Sequence, residues 1–265
     1  MTRIERLTLG ILWVVSGLVL LVMYLPAVVV VLMSFFPVQR QTIDWRGFTL
    51  VNFEQAFKNT EMISALGNSL TVAFISIIAA STFALAAGYY MVSGERKGRA
   101  FLESMIYLPF ILPAIITGIS LLIMFQEFGV ERSLFTVTIG HAIIVLAIIY
   151  RMVMVRLNTI PQSQIEASRD LGGTEWQTFR KVIAPQLVPA LVTSALLAFT
   201  ISFDETLVTF FLVGGDATLP IRLLGKMRVG FSPDVNALVT CVLLLTIFLA
   251  GIGTVTLRTA EGKGT

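Results

Sequence analysis

The sequence predicts an all-helical integral membrane protein whose single membrane domain, residues 1–265, crosses the bilayer six times. Three observations carry that expectation. Of 265 residues, 56% are hydrophobic and 13% charged, with a mean hydropathy of +0.87; that much apolar surface requires a second apolar phase. Uncharged stretches cover residues 7–39, 62–94, 104–126, 133–150, 182–203 and 235–257, each near or beyond the roughly 20 residues of a spanning helix. The expected spans are about 9–36, 64–92, 104–126, 134–155, 186–212 and 236–257. Finally, of the 19 Lys and Arg, Arg3, Arg6, Arg96, Lys97, Arg99, Arg151, Arg156, Arg169, Arg180, Lys181, Arg258 and Lys263 fall on one side of such a chain. Arg40, Arg46, Lys58, Arg132, Arg222, Lys226 and Arg228 fall on the other, so the positive-inside rule places both termini in the cytoplasm.

Taken in order, Arg3 and Arg6 ahead of an apolar run resemble a signal peptide, but the run is about twice the usual length of its apolar region. An uncleaved first span is expected. Residues 44–61 mix polar and aromatic side chains, which suits a short interfacial helix. In the second span Ser76, Ala80, Ala84 and Gly88 fall four apart and form a flat face along which another helix packs closely. The third opens with Tyr107-Leu108-Pro109-Phe110-Ile111-Leu112-Pro113. Two prolines four apart loosen helical hydrogen bonding, so this stretch either lines a pathway, Tyr107 included, or makes a simple kink. His141 in the fourth span fits an interhelical hydrogen bond.

Residues 161–185 are the one long polar interruption among the apolar segments. Ser163 with Glu166 and Thr174 with Gln177 have the spacing of capping boxes, so two short helices are expected over about 163–183. Gly172 and Gly173 make the corner between them, and Pro185, which has no amide hydrogen, should stop the second. Trp176, Phe179 and Ile183 recur at helical spacing and form an apolar stripe that needs a partner.

In the fifth span, Ser202-Phe203-Asp204-Glu205 interrupts an otherwise uncharged stretch. Each carboxylate costs about 2.5–3.5 kcal/mol at the bilayer centre unless it faces water or a partner. On a continuous helix the two would point about 100° apart, one toward a pathway and the other toward a neighbour. A cation-attracting site on a transport path is expected; the alternative is an ion pair with a partner subunit. Residues 214–235 fit a partial or re-entrant helix.

Composition also excludes several chemistries. One Cys and one His, Cys241 and His141, permit neither a disulfide framework nor a His/Cys metal cluster within this chain. The basic residues are spread through the loops rather than gathered in a patch, so nucleic acid is not an expected partner. Gly225-Lys226 and Gly262-Lys263 lack the upstream glycine and following hydroxyl of a phosphate-binding loop, so ATP hydrolysis by this chain alone is not expected.

Glu166-Ala167-Ser168, three residues, Gly172, nine residues and Val182-Ile183-Ala184-Pro185 resemble the EAA loop of bacterial ABC importer permeases, just before the penultimate span. Ser168, Val182 and Ala184 depart from the family's Ala, Ile and Leu, with the spacing intact. The likeness extends over most of the chain and points to the spermidine/putrescine type, in particular its second permease subunit. It is carried further by Trp45-Arg46-Gly47-Phe48-Thr49, Ser202-Phe203-Asp204-Glu205, Thr218-Leu219-Pro220-Ile221 and Val229-Gly230-Phe231-Ser232-Pro233-Asp234. Members usually carry two Asp where this chain has Asp204-Glu205, so the charge is kept.

The resemblance implies a type I ABC importer permease fold in the bacterial inner membrane. It also implies a complex with a second homologous permease, two ATPase subunits that bind ATP and Mg, and a periplasmic solute-binding protein. This chain would hold no cofactor and would not be an enzyme. Glu166, Ala167, Ser168, Asp170, Gly172, Trp176 and Pro185 would then couple to the ATPase. Tyr107, Ser202, Phe203, Asp204 and Glu205 would line the route of a small cationic solute, putrescine or spermidine first. Other substrates in keeping with the pattern are another amine, an amino acid derivative or an opine. A rival from another class is an ion-coupled secondary transporter, but the chain shows no second copy of the Pro109/Pro113 feature or of the carboxylate pair.

Overall fold

Long uncharged stretches rich in Leu, Ala, Ile and Met satisfy every backbone group internally only as helices, and helices are what they form. The computed structural model describes residues 3–39, 42–93, 98–229 and 233–261. Arg40, Arg96, Lys97, Gly230, Phe231, Ser232, Gly262 and Lys263, which enter the arguments above, lie outside the described residues. Among the described residues, four helices are long and apolar enough to cross a membrane: Thr8–Ser34, Thr60–Met91, Leu134–Leu157 and Glu175–Asp204. Beside them stand a pair, Arg99–Ile111 with Ala114–Glu127, bent at a short break, and a shorter apolar helix, Pro233–Phe248.

The chain divides into two compact units. One holds Met1–Ile63 and Lys226–Phe248. In it, α1 (Arg3–Ser34) leads to a two-residue antiparallel ribbon, β1 (Val38–Gln39) with β2 (Thr42–Ile43), and then to α2 (Val51–Lys58). A short helix therefore stands within 44–61, where one is expected. Its entry is built from aromatics: Phe35 stacks on Phe48 at 5.5 Å and meets Phe53 at 5.1 Å, while Phe36 meets Trp45 at 5.2 Å. Asn52, buried on α2, donates to the Ser34 and Phe36 carbonyls at 2.9 and 3.0 Å, capping the end of α1.

The second unit, Ser64–Gly225 with Leu249–Thr265, holds the two places of functional interest. Its helices are α3 (Thr60–Ser93), α4 (Arg99–Ile111), α5 (Ala114–Glu127), α6 (Leu134–Leu157), α7 (Gln162–Asp170), α8 (Glu175–Thr178), a π-helical turn Phe179–Ile183, α9 (Ala184–Asp204), α10 (Leu207–Leu212) and α11 (Leu219–Val229). α12 (Pro233–Glu261) closes the chain. The small-residue face of α3 packs as expected: Ser76, Ala80 and Ala84 are buried. Ser76 donates to the Thr138 carbonyl at 2.8 Å, and a side chain at Gly88 would reach Leu157 and Val153 of α6 at 2.9 and 3.0 Å. The core gathers around α6, where Val145, Ile149, Tyr150 and Val153 are fully buried against Leu187 and Ala198 of α9.

Three expectations about helix ends are corrected. Residues 104–126 do not form one kinked helix but fall on two helices bent by 111°. Proline disfavours the α conformation in its predecessor, and here Leu112 and Pro113 are both extended, at ψ 144° and 134°. Pro109 stays inside α4. Pro185 does not stop the second loop helix, because α8, the π turn and α9 run on as a single helix, Glu175–Asp204. Pro185, which offers no amide hydrogen, follows directly on the π turn, in which the Ala184 amide reaches back five residues to the Phe179 carbonyl. Finally, α7 starts two residues earlier than the capping-box spacing predicts. Pro161 is its N-cap, with no side-chain cap, so the Ser163–Glu166 box does not form. With Pro161 as N-cap the third helical residue is Gln164, and Pro161 has no amide hydrogen for a reciprocal bond.

Candidate functional site

The first candidate place is the corner between α7 and α8. Gly172 has φ +78°, the left-handed conformation that favours glycine. Its amide donates to the Arg169 carbonyl at 2.9 Å, and the Gly173 amide donates to the Ser168 carbonyl at 2.9 Å. That pair of bonds is a Schellman helix end. Gly173 is constrained by space: a Cβ there would stand 2.7 Å from the Ser168 carbonyl oxygen. The chain then restarts with the predicted capping box, as Gln177 N–H donates to Thr174 Oγ1 at 3.3 Å and Thr174 N–H to Gln177 Oε1 at 2.9 Å.

Two further contacts tie α7 to the helix that follows. The Ser168 and buried Thr178 hydroxyls are 2.9 Å apart, and Gln186 Nε2 donates to Gln164 Oε1 at 2.9 Å. Ser168, where the family pattern has Ala, thus uses its extra oxygen within the corner. Arg169 and Glu175 face each other across the corner at 3.7 Å, both well exposed. Phe179 and Ile183 turn inward, Phe179 meeting Tyr89 of α3 edge-on at 5.3 Å. Trp176, stacked on Phe179 at 5.7 Å, remains 67% exposed. Leu171, at the tip, is 90% exposed, and Glu166, Ala167 and Asp170 are exposed beside it. The corner is therefore internally braced and presents an apolar, unpartnered tip.

The second place is a discontinuity. α9 ends at Asp204, Glu205 is extended at φ −68°, ψ 111°, and α10 begins at Leu207. The expectation of a continuous helix through residues 186–212 is corrected here. The break is made by its own side chains: Thr206 Oγ1 donates to the Asp204 carbonyl at 3.1 Å, and Thr209 Oγ1 to the Glu205 carbonyl at 2.8 Å. Glu205 Oε1 accepts the Val208 amide at 3.0 Å, a carboxylate at a helix start where free amides point outward. Asp204 is exposed and Glu205 half-buried. Phe203 stacks on Phe199 at 5.6 Å.

Sequence reading gave Ser202 to the pathway and His141 to an interhelical bond; the structure joins them. His141 on α6 is 2% exposed. Its Nδ1 lies 2.8 Å from Ser202 Oγ on α9 and its Nε2 2.7 Å from Thr209 Oγ1 on α10. Thr209 was not singled out from the sequence, and its only signal there is a hydroxyl four residues after Glu205. α10 packs closely on both α5 and α6 because positions 118 and 140 are glycine: a Cβ at Gly140 of α6 would come within 2.7 Å of Leu212 and 2.9 Å of Val208, and one at Gly118 of α5 within 2.8 Å of Phe211. Tyr107 is not brought to the break by any ring contact; it meets Tyr150 of α6 at 5.8 Å.

The sequence profile of the family described as "Binding-protein-dependent transport system inner membrane component" matches residues 80–260. The spermidine/putrescine transport system permease protein PotC of Haemophilus influenzae is 30% identical over 228 residues, 86% of this chain and 88% of that one. The putrescine transport system permease protein PotI of Escherichia coli is 31% identical over 229 residues, 83% of this chain and 81% of that one. Among solved structures, a chain of a bacterial ABC transporter involved in the import of the acidic polysaccharide alginate superposes with TM-score 0.70 at 15% identity, covering 98% of each chain. A chain of the MetNI methionine ABC transporter does so with TM-score 0.63 at 20% identity, over 75% of this chain and 95% of that one.

Proposed function

The chain belongs to the family of binding-protein-dependent transport system inner membrane components, with the all-helical fold of type I ABC importer permeases, and from this we propose that it carries a polyamine, putrescine or spermidine, from periplasm to cytoplasm. It is a multi-pass inner-membrane transport component. Its partners in this reading are a second homologous permease, two ATPase subunits that bind ATP and Mg, and a periplasmic solute-binding protein. The chain makes six crossings, with the bent pair α4–α5 as the third, and both termini lie in the cytoplasm.

The observation that carries the substrate class is the break at Asp204 and Glu205. Irregular backbone at membrane depth persists only where it is buried or borders a cavity, and in transporters such breaks lie beside the bound solute. An exposed carboxylate next to a half-buried one, in a span otherwise free of charge, suits a cationic amine. The names of the two relatives agree with it. Coupling runs through the α7–α8 corner. The exposed Leu171 and Trp176 dock on the ATPase, and because the helix is unbroken from Glu175 to Asp204, a push at the corner moves the break directly.

The test is uptake of labelled putrescine and spermidine by cells that express this chain with its genomic neighbours, wild type against Asp204→Asn. Uptake by wild type that drops at least tenfold in the variant, with equal amounts of assembled complex, supports the reading. An assembled complex that takes up neither amine rejects the substrate class; equal loss of uptake and assembly makes Asp204 a structural ion-pair residue.

A further inference from the structure

We propose that His141 is the positioning residue of the transport route, holding α9 and α10 at a fixed offset so that Asp204 and Glu205 face the passing cation. The proposal rests on the reading of those carboxylates given above. Its argument is a count of protons. Thr209 Oγ1 has one proton, and that proton goes to the Glu205 carbonyl 2.8 Å away. Toward His141 the same oxygen therefore accepts, so Nε2 carries a hydrogen. Nδ1 of a neutral imidazole then has a lone pair to receive the Ser202 hydroxyl at 2.8 Å.

The result is one directed chain, Ser202 to His141 to Thr209 to the Glu205 carbonyl, which passes over the break from the last turn of α9 to the first turn of α10. Every side chain in it is buried: Ser202 3%, His141 2% and Thr209 0% exposed. Among the described residues no backbone hydrogen bond joins α9 to Leu207, and the Thr206–Asp204 and Glu205–Val208 bonds are local to the connection, so this chain is the polar link that ties the end of α9 to α10 through a third helix. A rigid ring with two nitrogens on opposite edges spans the two hydroxyls, which a flexible amide side chain would not hold at one distance.

The chain has a single histidine, so ¹⁵N-histidine spectra of the assembled transporter, taken as the difference between wild type and His141→Phe, read this ring alone. The expected signature is a neutral ring protonated at Nε2. A ring protonated at Nδ1, or at both nitrogens at neutral pH, overturns the proposal whether or not either amine is transported. For function, Thr209→Val keeps the volume and removes the hydroxyl, and is expected to lower amine uptake about tenfold, the equivalent of one net hydrogen bond. Thr209→Ser keeps the hydroxyl and restores uptake. In an Asp204→Asn, Glu205→Gln background, Thr209→Val has an effect of about twofold or less, because both groups being positioned are gone. A tenfold loss that persists in that background, or no loss in Thr209→Val alone, refutes the positioning role. A wild-type complex that transports neither amine yet shows the Nε2–H ring separates failure of the substrate reading from failure of the clamp.

Discussion

Gly173→Ala should uncouple this permease more severely than Gly172→Ala, although a motif reading singles out Gly172. At Gly172 the obstacle is conformational: φ +78° costs an alanine about 1–2 kcal/mol, but no atom lies within 4 Å of the new methyl, so the corner keeps its shape. At Gly173 the methyl would stand 2.7 Å from the Ser168 carbonyl oxygen and 2.9 Å from its hydroxyl. One of them must move. The Gly173–Ser168 backbone bond and the Ser168–Thr178 hydroxyl pair are the contacts displaced, each worth about 1 kcal/mol. Together they amount to about 2 kcal/mol, a factor of about 30 in the population of the formed corner. The assay compares limited proteolysis across residues 161–178 with substrate-dependent ATPase activity of the reconstituted complex. Gly173→Ala should be cut faster and lose most of the stimulated activity, and Gly172→Ala should be the milder variant in both. Wild-type behaviour of Gly173→Ala in both measurements would refute the bracing argument.

Trp176→Ala removes a residue that is 67% exposed, so the stability of the permease should change by about 0.5 kcal/mol or less while ATPase binding, measured by co-purification, weakens several-fold. Gly140→Ala places a methyl 2.7 Å from Leu212 and 2.9 Å from Val208; overpacking of about 1–3 kcal/mol should lower the melting temperature of the purified protein and uptake together. On α2, the Lys58 ammonium hydrogen-bonds Glu54 and holds its carboxyl below the ordinary value of 4.5. A depressed folded-state value stabilises the helix above pH 4.5 and not once the pH falls through the lowered value. Glu54→Gln should therefore reduce protection of the α2 amides from hydrogen exchange at neutral pH, and the difference from wild type should vanish in acid.

Much of this protein was legible in the sequence because the signals are local. Apolar stretches must be helices in lipid, whatever they pack against. The Gly172-Gly173 corner and the Thr174–Gln177 box are written within a few residues, and both form. The small-residue face of α3 needs only helical spacing to be seen. Where reading failed, the deciding contact lay elsewhere in the chain or in a competing local rule. Ser163 has the spacing of a cap, but Pro161 two residues earlier already starts the helix. Pro185 has the chemistry of a helix stop, yet the π turn before it and the packing of Ile183 and Leu187 in the core carry the helix through.

The sequence by itself determined that two carboxylates stand in an apolar span, because their charge is unmistakable against 182–203. Only the tertiary structure decided that the span breaks there. The sequence marks Ser202 only as a neighbour of the carboxylates and Thr209 not at all; their link exists once His141, 61 residues before Ser202, is brought between them, with Gly140 letting α10 lie close on α6. A backbone break in lipid is stable only when its freed polar groups find partners, and those partners come from helices that the sequence around the break does not contain.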